Sequence, residues 1–502
     1  MRNLILFVLL FFHITTKAQT FSTRVGETYT YKGEYGIPVA LSQSHFHLVG
    51  KEKGMSFTMD VSVRKTDTTD RIELGKSKKE IKVPSPLPTL LIKTPVGAGI
   101  VYQEMDRGGT TGNIMIADVD SNTVAIAEPR VLINLEAAGF TTKLKSETVY
   151  NQRIQYKRSP DREYILFRIY NEMEAASFYL ALFDNKMQLK WQLKEQLNFA
   201  DKDVKQFDAV VDNSGKAYLA YRLDTKGKVN NEGRVLVFDA GKKQKELYLD
   251  LPGAIPSEMK LLVSQNTQLV HVAGFYYNYN SQGLQGAYAV GIQTSDLALT
   301  TMRKTAFPDN LVRQFTEDGW GHDKSNSKYG LMDKLRSKLV ELDNFQPAIT
   351  GEFSHSGVVN NKLYRYTGGI LHAYFGPVQT HFARLPKYRV SAGSTVGDSY
   401  SVFGLRDQMI IFYNDDIDNL SKDINSKPEN SNVYKNVVMV GAIMQSDGSI
   451  NRQVVIDMKK DNFLALTDMI QKRGNQFYVP CFEVKSLGGI NDNYRPVVVE
   501  LK

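Results

Sequence analysis

The feature that most constrains this chain is a unit that returns at intervals of roughly fifty residues. Ser159-Pro160-Asp161-Arg162-Glu163 is a turn signal ahead of an apolar run from Tyr164 to Ile169, and a second run, Phe178 to Phe183, ends at Asp184-Asn185. Asp212-Asn213-Ser214-Gly215-Lys216 repeats the turn before Ala217 to Arg222, and Val235 to Phe238 then ends at Asp239-Ala240-Gly241. The pattern returns with Gln265-Asn266-Thr267-Gln268 before Leu269 to Phe275, and with Ala287 to Ile292 ending at Ser295-Asp296. Fainter copies are Arg406-Asp407-Gln408 before Met409 to Tyr413, and Gly474-Asn475-Gln476 before Phe477 to Phe482. Each unit reads as turn, inner strand, loop, second strand and turn. The runs are built from β-branched and aromatic residues, mainly the 26 Tyr and 25 Phe, with little helical periodicity.

A unit of that length holds several strands but cannot bury its apolar faces alone. Neighbouring units must stack and, to hide the last edge, close on one another. The expected fold is therefore all-β: a single irregular β-propeller over residues 19–502, with about seven blades in a span of six to eight. Consecutive β-sandwich domains are the competing architecture. The lack of a long Pro/Ser-rich linker favours one closed unit. One segment breaks the β pattern. Leu331, Leu335, Leu339 and Leu342 recur at helical spacing, Ser325-Asn326-Ser327 offers N-caps and Pro347 follows. An inserted amphipathic helix is expected near 325–345.

The N-terminus reads as an address. Arg2 gives a positive start, Leu4 to Phe12 is unbroken apolar, and Thr16-Lys17-Ala18 places small residues for cleavage before Gln19. His13, Thr15, Thr16 and Lys17 cut the run short of the ~20 residues that a membrane span needs. Residues 1–18 are expected to be a signal peptide, and the mature protein to be exported to the periplasm or cell envelope, or beyond, without inserting into the membrane. ATP-driven and nucleic-acid chemistry then leave the leading candidates. The formal charge of +8 is mild for 502 residues. Lys76-Ser77-Lys78-Lys79 and Lys242-Lys243-Gln244-Lys245 lack the interleaved aromatics of a nucleic-acid surface and suit hairpin ends or edge-strand gatekeepers. Cys481 is the only cysteine, so no intramolecular disulfide can form; within Phe477 to Phe482 it reads as a small buried hydrophobe.

Linear signatures of chemistry are absent: no G-x-S-x-G elbow, no H-E-x-x-H and no phosphate loop. His45 and His47 would share a strand face, but no acidic pattern nearby completes a metal site. Asp118-Val119-Asp120-Ser121-Asn122 and Asn414-Asp415-Asp416-Ile417-Asp418-Asn419 gather hard oxygens, yet both miss the calcium-loop pattern and read as turn chemistry. No cofactor and no metal are expected. The most suggestive surface is aromatic. Phe275-Tyr276-Tyr277-Asn278-Tyr279-Asn280 leads from a strand into a loop, and Glu317-Asp318-Gly319-Trp320-Gly321-His322-Asp323 holds a Trp between two glycines. Trp320, Tyr276, Tyr277, Tyr279 and His322 are the candidate ligand-binding residues, with Trp320 as a stacking platform. The alternative is that Trp320 plugs a blade interface.

The Ser159-Pro160-Asp161 turn, the Phe-Asp strand ends, Gly368-Gly369-Ile370-Leu371, and Ser399-Tyr400 leading to Phe412-Tyr413-Asn414-Asp415 with Asn419 resemble exported proteins of Bacteroidota that have no assigned activity. The resemblance covers residues 150 to 500 and implies an irregular propeller outside the cytoplasm. The chain departs from it at His372-Ala373-Tyr374, where an acidic residue is expected. The resemblance therefore implies no site. The expected function is that of an exported, non-enzymatic binding or scaffold protein offering loops to a glycan or protein partner. The alternative is a propeller hydrolase or lyase acting on polysaccharide or peptide, with carboxylates gathered at the channel. An enzyme should show free acids converging on a channel mouth; a binder should show a grooved or aromatic face.

Overall fold

A computed structural model describes residues 152–502, apart from 172–173, 225–231, 266–267, 280, 323–329, 360–361, 393–398, 430–435 and 485–489. It also describes the strands and some flanking positions within 19–135. The expected signal peptide, residues 1–18, lies outside the described residues. Among those described, eight antiparallel sheets follow one another along the chain. Blades 1 to 7 occupy residues 34–81, 90–134, 152–196, 204–249, 254–306, 335–392 and 400–457, each laid down from one edge to the other. Blade 8 combines residues 463–501 with the N-terminal strand Phe21–Val25.

The sheets form a ring. Inner strands touch between blades 1 and 2, 3 and 4, 4 and 5, 5 and 6, and 6 and 7, and that of blade 1 touches that of blade 8. Side chains fill the seams. Ile116, Ile165 and Phe167 join blades 2 and 3, and Phe178, Leu219 and Phe238 join blades 3 and 4. Tyr218, Val237 and Val272 join blades 4 and 5. Phe275, Phe353 and Phe375 join blades 5 and 6, Ile370 and Ile411 blades 6 and 7, and Phe412 and Phe477 blades 7 and 8. This is an eight-bladed β-propeller, at the upper end of the expected span. The blade beyond seven falls in the N-terminal region. There, strands such as Met59–Asp67 (MDVSVRKTD) and Ser77–Ile81 (SKKEI) carry no long apolar run.

The strands that the sequence pattern marks as inner are in fact second in their blades. Tyr164–Asn171, Ala217–Leu223, Leu269–Asn278 and Gln408–Asp416 each have a less fully buried strand between them and the channel. Second and third strands are covered on both faces and become continuous apolar runs; the inner and outer strands each meet solvent. The repeated turn is the hairpin joining the first and second strands. Asp212 Oδ1 accepts from Ser214 N at 2.8 Å, Ser214 Oγ at 2.7 Å and Lys216 N at 3.0 Å, while Oδ2 takes the Tyr218 hydroxyl at 2.9 Å. Gly215 supplies the positive φ of +84°. Neighbouring copies touch, since Asp161 N donates to Asn213 Oδ1 at 3.1 Å. Asp212→Ala should cost about 2–3 kcal/mol, the scale of hydrogen bonds to a buried charge, read as a lower urea midpoint; an unchanged midpoint would refute this account of the repeat.

The ring is closed by the chain's two ends. Phe21–Val25 pairs antiparallel with Ile490–Leu501, from Phe21 opposite Leu501 to Val25 opposite Val497. Phe21 packs against Phe412 of blade 7 at 5.4 Å between ring centroids, and Lys502 N donates to Thr20 O at 3.0 Å. Lys78 and Lys79 of the first lysine cluster and all of the second fall on outer edge strands, Ser77–Ile81 and Lys242–Leu249, where charge blocks further pairing. Cys481 is fully buried, and burial raises its thiol pKa well above the usual range.

The helix expected near 325–345 is not there. Leu335–Glu341 is the inner strand of blade 6, and Leu331 forms isolated bridges with Leu284 and Gly321. A spacing of four fits a strand as well as a helix, because i and i+4 also share a face at period two. The inserted amphipathic helix lies earlier: α1, Asp309–Glu317, buries Leu311 and Phe315 between blades 5 and 6. Pro308 precedes it, and Trp320 N returns to Phe315 O at its end.

Candidate functional site

The structure separates the five candidate residues. Trp320 is 2% exposed and lies in the seam between blades 5 and 6, stacked on Phe353 with centroids 5.6 Å apart. The slot exists because position 368 is glycine: a Cβ there would stand 2.1 Å from the indole. Trp320 is therefore a plug and no platform, which corrects the expectation of a stacking surface. Tyr276 is likewise buried at 3% exposure, between blades 4 and 5 with Lys304 over its ring. Tyr279 and His322 are exposed. Tyr277 is half-buried and donates its hydroxyl to Asp333 Oδ2 at 3.3 Å.

Tyr277 belongs to a polar cluster at the channel mouth where the inner strands begin. Arg222, at the end of the second strand of blade 4, reaches Pro256 O and the Asp224 carboxylate, the latter at 2.6 Å. Lys205 starts the inner strand of blade 4, and desolvation together with Arg222 pushes its ammonium below the usual value. Glu258 sits where the inner strand of blade 5 breaks between Ala254–Pro256 and Lys260–Val263. Gly274 permits that break, since a Cβ there would lie 2.0 Å from Glu258 O. The Glu258 carboxyl takes the Ser337 hydroxyl on one oxygen and has no partner on the other among the described residues, so burial raises its pKa. Burial and Asp333 push the Tyr277 hydroxyl up to about 12.

Polar links run from blade to blade behind this mouth. Lys157 stands 3.9 Å from Asp208, which accepts Leu261 N at 3.1 Å; Ser337 meets Glu258; Lys338 meets Tyr400 O; Lys472 meets Gly404 O. At the other end of the channel a cavity of about 270 Å³ is bordered by Leu339, Glu341, Phe345, Phe403 and Lys472. Glu341 is held below the usual carboxylate range: His271 Nε2 lies 2.9 Å from one oxygen and Gln265 N donates to the other at 3.1 Å.

The two acidic clusters behave as structure. Asp120 accepts Thr123 N at 2.7 Å in a hairpin turn, and Asp416 caps α2, Ile417–Ser421, by accepting Asp418 N at 3.0 Å. His45 and His47 share the strand His45–Lys53, but their side chains lie outside the described residues. Among the described residues no three His, Cys, Asp or Glu side chains gather as a metal site.

The class that this architecture defines is the β-propeller. No family model and no curated protein matches the chain. Solved structures similar to it include the WD40 domain of SCAP from fission yeast, at 8% identity and TM-score 0.38, covering 94% of this chain and 98% of that one. A quinohemoprotein alcohol dehydrogenase from Pseudomonas putida HK5 gives 9% identity and TM-score 0.39 over 95% and 76%. The fucose-recognising lectin of Aleuria aurantia gives 9% and 0.29 over 73% and 94%. Likenesses this slight carry nothing about the chemistry of this chain.

Proposed function

We propose that this chain is an exported binding protein of the cell envelope that holds a glycan or protein partner at the mouth where the inner strands begin. One observation carries the reading. Tyr277, Asp333, Arg222, Asp224 and Glu258 converge from separate segments of blades 4, 5 and 6, and each carboxylate already takes a hydrogen bond from a neighbour. Such a surface offers rigid donors and acceptors beside a rim tyrosine, Tyr279, 43% exposed. That suits recognition better than acid–base turnover. Export is supported by the leader pattern of residues 1–18. N-terminal sequencing of the envelope fraction should find Gln19 first.

With purified residues 19–502 and a panel of glycans and envelope peptides in calorimetry, Tyr277→Ala and Asp333→Ala should each weaken the tightest binder at least tenfold, about 1.4 kcal/mol, with melting unchanged. Unaltered affinity in both variants would remove this mouth as the site. The hydrolase or lyase reading is favoured by Glu258 alone, whose raised pKa suits a general acid. It requires product release from a bound glycan or peptide that Glu258→Gln abolishes.

A further inference from the structure

The geometry points to an extended polypeptide segment as the partner, taken up by strand addition on an open sheet edge beside the mouth. This rests on the reading of the mouth as a binding site and narrows its partner to a protein. In blade 6 the second, third and outer strands are long: Pro347–Val359, Lys362–Phe375 and Thr380–Ala392, of 13, 14 and 13 residues. The inner strand, Leu335–Glu341, has 7 and pairs no further than Leu335 opposite Phe353. One more bond follows, from Ser354 N to Lys334 O at 3.0 Å. Beyond it, no strand among the described residues pairs with the inner side of His355 to Val359. The chain leading into the inner strand leaves that line, since Leu331 bridges Leu284 and Gly321 and Met332 N donates to Trp320 O at 2.9 Å.

The edge suits a new strand. Ser356 and Val358 alternate with Ser354, so their N–H and C=O groups point to the same open side. Both residues are exposed, Val358 by 69%. Outer edges elsewhere are guarded by charge, as in Leu189–Gln196 (LKWQLKEQ) and Lys242–Leu249 (KKQKELYL). His355 to Val359 (HSGVV) has no Lys, Arg, Asp, Glu or Pro. Open, uncharged backbone of this kind selects a polypeptide, because another main chain supplies donors and acceptors at the strand repeat. Side chains set the preference. The His355 ring stacks on Tyr366 with centroids 4.5 Å apart, and Gly357, on the same face, leaves room beside them. A Cβ at Gly357 would meet only Tyr366 Cε2, at 3.5 Å, among the described residues. An aromatic side chain opposite Gly357 fills that room. A segment antiparallel to Pro347–Val359 continues the line of the inner strand and brings its C-terminal end to Lys334 and Asp333. The Asp333 carboxylate takes the Tyr277 hydroxyl at 3.3 Å and forms no ion pair among the described residues, so a lysine at that end is complementary.

The test uses residues 19–502 at neutral pH in calorimetry, against an acetylated, amidated peptide that alternates threonine and valine around a central tyrosine and ends in lysine. The peptide should bind. Methylating the alternate amide nitrogens that face the edge should abolish binding, and methylating the other set should leave it. Ser356→Pro removes a donor that points away from the sheet and should weaken the peptide about tenfold or more, with melting unchanged. Val358→Lys, at an exposed position, should do the same by guarding the edge with charge. No binding at millimolar peptide, equal binding of both methylated forms, or unchanged affinity in both variants would overturn the proposal. So would a dimer that Ser356→Pro dissociates while the peptide stays unbound, since the edge would then serve a second copy of the chain. A glycan weakened by Tyr277→Ala where the peptide is inert sinks strand addition and keeps the mouth. Peptide binding lost in Ser356→Pro but untouched by Tyr277→Ala keeps the edge and removes the mouth.

Discussion

Trp320→Ala is expected to lower stability by about 3–5 kcal/mol, the range for truncating a large buried aromatic, seen as a fall in urea midpoint at constant slope. The indole is packed among rings of blade 6: Phe353 stacks on it with centroids 5.6 Å apart, and His355 and Tyr388 lie at 5.5 and 6.4 Å. Removing it leaves a cavity that Gly368 and Gly369 have no side chains to fill. Trp320→Phe should cost far less, because the indole Nε1 is buried with no hydrogen-bond partner among the described residues and its loss relieves an orphaned donor. Gly368→Ala should be severely destabilising in the parent, and much less so in a Trp320→Leu background. Additive costs in that double-mutant cycle would show that the two positions do not share the slot. In a Trp191→Phe background, Trp320 becomes the only tryptophan and its fluorescence reports this seam directly.

Gly368-Gly369 is the readable sign of that slot. Paired glycines inside a strand mark a close approach of another group, but nothing linear says that the group is a Trp some fifty residues earlier. Trp320 between two glycines looks exposed on local grounds; Gly319, at φ +93°, instead turns the chain inward. The fold is legible where burial is two-sided. Strands such as Ser177–Asp184 and Val437–Gln445 are covered on both faces, and their composition announces them. The outer strand Leu189–Gln196 (LKWQLKEQ) and the inner strand Leu335–Glu341 (LRSKLVE) meet solvent, so their sequences fit several structures, and the second reads as helix. The mouth is hidden for a different reason. Tyr277 is among the sequence candidates, but Arg222, Glu258 and Asp333 come from separate blades or connections, and only ring closure brings them together.

The second large effect is a pH dependence centred on Asp415. This residue is wholly buried at the end of the second strand of blade 7. Its Oδ1 accepts Asn419 Nδ2 at 2.9 Å, and its Oδ2 has no partner among the described residues. Asn419 in turn bonds both Glu429 O at 3.0 Å and Glu429 N at 2.6 Å, pinning the connection that follows α2. Burial raises the Asp415 pKa to about 7, outweighing Asn419, the Asp416 backbone, Lys387 and Arg452, which all favour the charged form. Lys387 itself is already paired with the buried Glu352.

A carboxyl whose folded value lies above its unfolded one holds its proton more tightly in the fold. Its contribution is therefore complete below about pH 4, is lost as pH rises to about 7, and stays flat beyond. At 1.36 kcal/mol for each pH unit between those two values, the loss across the window is about 4 kcal/mol. Asp415→Asn removes the titration but places an amide donor where no acceptor waits, costing about 1–2 kcal/mol at pH 4. The two stability curves should therefore cross, with the variant weaker at pH 4 and stronger at pH 8. His372, held near 3 by burial, and Asp318, raised by burial to about 6 against the pull of Arg384, titrate in both proteins and cancel in the difference. Urea melts at pH 4, 6 and 8 decide the matter: parallel curves would mean that Asp415 is ionised throughout, with Lys387 serving two carboxylates at once.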